Sequence, residues 1–171
     1  EKTPKKEKDD SVPGFLTALS QLPDHCWVEA PRDDSGIQYF TRAKVGLSDH
    51  QVMLDGGSGV NSTTEELVLQ VLNENRKAGI SLSDKRHPVK QLEKWTTAEE
   101  LRGVAGGKTV PLLGAVVLEL TLIEVGKPVS ARTPRILVRF KICASGTTDW
   151  APVIIGARAI DCVERGGLGF V

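Results

Sequence analysis

Gln51-Val52-Met53-Leu54-Asp55-Gly56-Gly57-Ser58-Gly59-Val60 decides how the rest of the chain is read. Val52, Met53 and Leu54 form a short apolar run bounded by turn residues, the pattern of a buried strand. That strand ends on Asp55 and opens into a loop with glycine at 56, 57 and 59. Glycines there admit positive φ and put no Cβ bulk over the carboxylate. Asn61-Ser62-Thr63-Thr64-Glu65-Glu66 follows with helix-start chemistry. A carboxylate on a rigid strand end, beside free N–H groups, suits either proton transfer or the close approach of a ligand backbone.

Working outward, residues 64–77 carry Leu67, Val68, Val71 and Leu72 at helical spacing, with Gly79 just beyond. This predicts the best-defined helix of the chain. On the other side, residues 37–41 and 43–45 read as strands, with a turn near Ser48-Asp49. Residues 26–29 read as a strand paired to 37–41 through the turn at 31–36. Residues 80–95, polar around Pro88, read as a loop with a short element, and 97–101 as one helical turn. A glycine-rich hairpin at 102–111 leads into a long apolar strand over 112–123. A second hairpin through Gly126-Lys127-Pro128 returns along 136–142. Residues 153–156 form another short buried strand, 157–163 a final helical turn and 168–171 a terminal strand. The chain is mainly β with one good helix, which speaks against a βαβ parallel sheet.

The 171 residues carry 22 basic and 22 acidic side chains, for zero net formal charge. That gives no strongly basic surface for nucleic acid. No apolar run approaches the roughly 20 residues a membrane-spanning helix needs. Cys26, Cys143 and Cys162 are odd in number and form no CxxC pair, so reduced thiols in an intracellular, cytoplasmic setting are expected. His25, His50 and His87 have no ligand spacing, so neither a metal site nor a cofactor is expected. Residues 1–11 are nearly all charge and read as a tail. Residues 12–22 read as a short amphipathic docking helix ended by Pro23. With Glu1 first and Met53 the sole methionine, the chain reads as a fragment of a longer product.

The order of these parts resembles a retropepsin-like aspartic protease of the retroviral and retrotransposon type. The resemblance rests on Leu54-Asp55-Gly56-Gly57-Ser58, on a glycine-rich hairpin at 103–117, and on Ile154-Ile155-Gly156 before a short helix. It covers about residues 27–171 and implies a one-lobe closed barrel with a flap hairpin and one added surface helix over Leu67–Leu72. The corresponding division is a charged tail and docking helix over 1–22 and a protease domain over 23–171. By the same resemblance Asp55 is catalytic, with Gly56, Gly57 and Ser58 as its loop. Val104, Ala105, Gly106 and Gly107 would be the flap over an extended polypeptide substrate, and Ile154, Ile155 and Gly156 the second loop. The family works as a homodimer that brings two such aspartates together, and its substrates are polyprotein segments.

The chain departs from that pattern at two places. Gly56 stands where the family has a Thr or Ser hydroxyl that braces the dimer, and Ala157-Arg158 follows Gly156 in place of the usual Asp or Asn two residues on. A catalytically impaired module that still dimerises or binds peptide is therefore the first alternative. The second is a class I methyltransferase, whose first motif also ends a strand in Asp-x-Gly-x-Gly and binds adenosylmethionine. Asp34-Ser35-Gly36 matches Asp-Ser-Gly literally, but it follows Pro31-Arg32-Asp33 rather than an apolar strand and reads as a hairpin turn.

Overall fold

A computed structural model describes residues 14–26, 39–102, 108–123, 126–146 and 151–164. The chain divides into two units, Glu1–Gly36 and Ile37–Val171. In the first, α1 spans Phe15–Ser20 and a 3-10 turn spans Asp24–Cys26. Ala18 N–H donates to Gly14 O at 2.9 Å, and the Ser20 hydroxyl bonds back to Thr17 O at 2.7 Å. Cys26, expected to open a strand, instead closes the 3-10 turn. The remainder of that strand, its hairpin turn and Asp34-Ser35-Gly36 lie outside the described residues, as does 168–171.

Among the described residues the second unit is one mixed seven-stranded sheet with two helices. Its strands are β1 (Tyr39–Val45), β2 (Ser48–Asp55), β3 (Ser62–Thr64), β4 (Val89–Leu101), β5 (Val110–Ile123), β6 (Arg135–Cys143) and β7 (Val153–Gly156). The helices are α2 (Glu65–Lys77) and α3 (Ala157–Glu164). The order across the sheet is β1-β2-β7-β3-β6-β5-β4, and the free edge of β1 also pairs with the far end of β5, Ala43 opposite Leu122. β2 runs parallel to β7 and β3 parallel to β6; the other pairs are antiparallel.

The β1–β2 turn falls at Gly46-Leu47, two residues before the expected Ser48-Asp49, because Gly46 takes a left-handed φ of +63°. A side chain there would also strike Pro88, whose Cγ lies 2.8 Å from the vacant Cβ position. α2 begins as the sequence predicts. The Thr64 hydroxyl caps Leu67 N–H at 3.2 Å, Glu65 and Glu66 occupy the first turn, and Arg76 and Lys77 the last. Its Leu67, Val68 and Val71 are buried, with Leu72 packed partly against the same core, so one face of this helix is core.

β4 overturns the expectation of a loop over 80–95 and a helical turn at 97–101. It is a border strand paired to β5, and of its thirteen residues only Val89 is buried. A strand with little to bury shows no apolar alternation to read. Charged border strands also resist pairing with other chains. Between Lys94↔Gly114 and Glu99↔Leu112, β4 advances five residues while β5 advances two. The bulge lets Trp95 pack with Leu101 against buried Val110, Leu112 and Cys143. Gly114 is required beneath it, since a Cβ at 114 would land on the main-chain carbonyl of Glu93.

The main core joins Leu118, Leu120, Ile136, Val138 and Phe140 of β5 and β6 to Val52, Val153 and the α2 face. Burying each such side chain stabilises the fold by about 1.5–3 kcal/mol. β2 and β7 are therefore clamped in the centre, and their shared end is where Asp55 emerges.

Candidate active site

The burial along β2 explains how Asp55 is presented. Val52 and Met53 are buried, Leu54 and Asp55 half-buried, and Gly56 and Gly57 exposed. Past the last core residue the chain turns back on itself. Asp55 Oδ1 accepts the Gly57 N–H at 2.9 Å, and Asp55 O accepts Ser58 N–H at 3.1 Å. The carboxylate thus shapes its own turn, a common use of Asp in loops. A Cβ at 57 would lie 3.3 Å from Asp55 Oδ1, so Gly57 leaves that oxygen room. The expected positive φ is absent: Gly56, Gly57 and Gly59 all lie outside the left-handed region. At Gly56 and Gly59 a Cβ would meet nothing within 4 Å.

Ser58 secures the next step. Its hydroxyl donates to Val60 O at 2.8 Å and accepts Val60 N–H at 3.3 Å, while its carbonyl accepts Ala157 N–H at 2.9 Å. That last bond ties the first loop to the start of α3. In the parallel β2–β7 register Asp55 stands opposite Gly156. The loop passes so close that a Cβ on Gly156 would come within 2.6 Å of Val60 O and 2.8 Å of Ser58 O. Glycine at 156 is therefore a requirement of the packing, and Ile155 beside it is buried in the core.

The residue missed in the sequence is Asn61. Its Oδ1 accepts Gly156 N–H at 2.9 Å, its Nδ2 donates to Arg139 O at 3.2 Å, and its own carbonyl accepts Lys141 N–H at 2.9 Å. Thr63 adds a bond from its hydroxyl to Pro152 O at 2.8 Å. Polar residues straight after a glycine turn look like helix-start chemistry, and of Asn61, Ser62, Thr63 and Thr64 it is Thr64 that caps α2. The partners are too remote in sequence for any local pattern to mark them.

Of the residues singled out in the sequence, Asp55 stands in register with Gly156 and Ser58 lies against that glycine, while Ile155 pairs with Leu54 and Ile154 with Met53. Val104, Ala105, Gly106 and Gly107 lie outside the described residues. The arms on either side of them are β4 and β5, paired at Leu101↔Val110. On the outer face of these arms, Arg139 clamps Glu93 with two bonds of 2.9 and 2.6 Å. The guanidinium, helped by the Trp95 N–H, holds the Glu93 carboxyl down at about 2. Lys141 stands over the Trp95 ring at 5.7 Å, a cation–π contact.

The histidines have structural surroundings. His50 Nε2 lies 2.8 Å from the Ser48 hydroxyl, and burial lowers its pKa, opposed by nearby Glu74. His87 accepts Val89 N–H at 3.1 Å and is likewise lowered by burial and then by Lys90. Burial pushes the Cys143 thiol up. Among the described residues no group of three or more His, Cys, Asp or Glu could hold a metal ion, and no helix is long and apolar enough to cross a membrane. No family model and no curated protein matches the chain.

Proposed function

We propose that this chain is one protomer of a homodimeric aspartic endopeptidase, with Asp55 supplied by each copy. The observation that carries the reading is the meeting of two loops: Asp55 ends a core strand in register with Gly156, and residues 58–60 lie directly on that glycine. The return of β1 onto β5 supports reading the sheet as a one-lobe closed barrel, with α2 as the added helix. By the same reading the β4–β5 arms would carry the flap that covers an extended peptide and excludes bulk water.

Two carboxylates are needed because hydrolysis of an amide asks for a base and an acid together. About 3 Å apart, at an effective dielectric near 20, two charged carboxylates repel by about 5 kcal/mol. The pair therefore holds one proton between its two carboxyls. The ionised Asp55 takes a proton from water as its oxygen bonds to the scissile carbon. The protonated Asp55 donates to the carbonyl oxygen. As the tetrahedral diol collapses, one of its hydroxyls returns a proton to the ionised Asp55, the C–N bond breaks, and the nitrogen leaves with the proton held by the other Asp55, which restores the singly protonated pair. The substrate is an extended polypeptide segment, as in a polyprotein.

Gly56 favours a second reading. It carries no hydroxyl to bond across the dimer, so a peptide-binding or dimerising module of weakened activity also fits. An adenosylmethionine site has less support, because β3 separates the glycines from the N-terminus of α2, whose Leu67 N–H is already capped. Digestion of a peptide library near pH 5, with and without a pepstatin-type inhibitor, tests the proposal. Inhibitor-sensitive cleavage that Asp55→Asn abolishes is the expected result. Peptide binding without cleavage favours the module, and a melting temperature raised by adenosylmethionine favours the methyltransferase.

A further inference from the structure

Asn61 faces two partners that ask for opposite roles. The Gly156 N–H needs an acceptor, and the Arg139 carbonyl needs a donor. A side-chain amide offers both at once without charge, whereas a carboxylate only accepts. The N–H it holds belongs to the register partner of Asp55, so the bond fixes the end of β7 beside the catalytic strand. Its other bond, with the main-chain bond from Lys141 N–H, anchors the same loop to β6. Gly56 brings no hydroxyl to the dimer, so bracing of the loop falls to bonds made within the protomer.

We propose that Asn61 is a positioning residue for Asp55: by joining Gly156 N–H to Arg139 O, its amide sets where the Asp55 loop stands when it meets the second copy. The inference rests on the aspartic protease reading. It concerns geometry rather than binding, so its signature is a lower kcat at nearly constant KM. A displacement of about 1 Å at a reacting group costs about a hundredfold in rate, and loosening one of several anchors should cost about tenfold or more.

The test is Asn61→Asp, which keeps the shape and changes one donor into an acceptor. Above the ordinary carboxyl range of about 4, its ionised oxygen faces the Arg139 carbonyl. Below that range the neutral acid restores one donor and one acceptor. With a fluorogenic peptide taken from the library digestion, we expect kcat of this variant to fall about tenfold or more below the unmodified chain at pH 6. It should recover to within about threefold at pH 4, with KM nearly unchanged at both. Asn61→Ala should lose kcat at both values and should speed amide hydrogen exchange at Gly156 but not at Phe140 in the core. Unchanged kcat in both variants, with Asp55→Asn inactive, would overturn the role of Asn61 and leave the protease standing. Equal losses for Asn61→Asp at pH 6 and pH 4 would also overturn it. An unmodified chain with no Asp55-dependent cleavage removes the protease reading and this inference together, and its own silence tells that failure from the others.

Discussion

Gly56 and Gly156 occupy the two loops that meet beside Asp55, and they are glycines for opposite reasons. Gly156 lies under the carbonyls of Ser58 and Val60, where even one methyl group has no room. Gly56 is exposed, has no left-handed φ, and would meet nothing if it carried a side chain. The second loop is therefore fixed by packing and by the Asn61 amide on the Gly156 N–H, while the first is shaped by the hydrogen bonds of Asp55 and Ser58. Chemistry is expected from the loop that the structure leaves open, and precision from the one it closes.

The sharpest way to break this comparison is Asp55→Asn. It should lower cleavage by about a thousandfold or more, within the range for loss of acid–base catalysis. The melting temperature should hardly change, because Asn can still accept the Gly57 N–H. Persistent turnover would place the chemistry elsewhere. Next comes Gly156→Ala, which forces its methyl group against two backbone oxygens. Overpacking of this kind costs about 1–3 kcal/mol, read as a lower midpoint in denaturant, and a midpoint equal to the unmodified chain would show that the loops are not closely apposed.

A third effect reaches the site from behind, through the Glu93–Arg139 pair. The Glu93 carboxyl sits at about 2 in the folded chain against an ordinary 4.5. Its folded value is depressed, so the pair stabilises fully above pH 4.5 and loses that contribution as pH falls towards 2. Glu93→Gln should flatten the fall of melting temperature over that window. The Asp84–Arg86 pair, with Asp84 also at about 2, remains to set the residual slope. Identical acid profiles would mean the clamp does not act in solution. The smallest expected effect is from Gly56→Ser, which has room for its hydroxyl and should raise kcat or dimer stability a few-fold by kinetics and sedimentation. A loss instead would mean the bare backbone at 56 is itself required.

What could be read in the sequence was whatever apolar pattern and turn chemistry write locally. The strand ending at Asp55, α2 with its Thr64 cap, and the β5 and β6 strands follow from runs that bury one face. β4 escaped because Lys90, Glu93, Lys94, Glu99 and Glu100 signal solvent rather than a strand. β3 is three residues long and is held by β6 and β7, far along the chain. The loop at 56–59 was legible in its glycines but not in their conformation. Its spare Cβ positions are a matter of space around the backbone, which residue type alone does not specify. Asn61 was invisible for the same reason as β3, since its partners come from strands formed much later in the sequence.

The pairing of β1 with both β2 and β5 has a consequence for the behaviour of the chain in concentrated solution. Among the described strands it leaves β4 as the long exposed border, and that border carries alternating blocks of positive and negative charge. Such a margin offers main-chain groups to a passing strand, yet asks it to match an ionic pattern as well. Replacing Lys90, Glu93 and Lys94 with β-branched apolar residues would turn a guarded rim into a template for fibrous stacking.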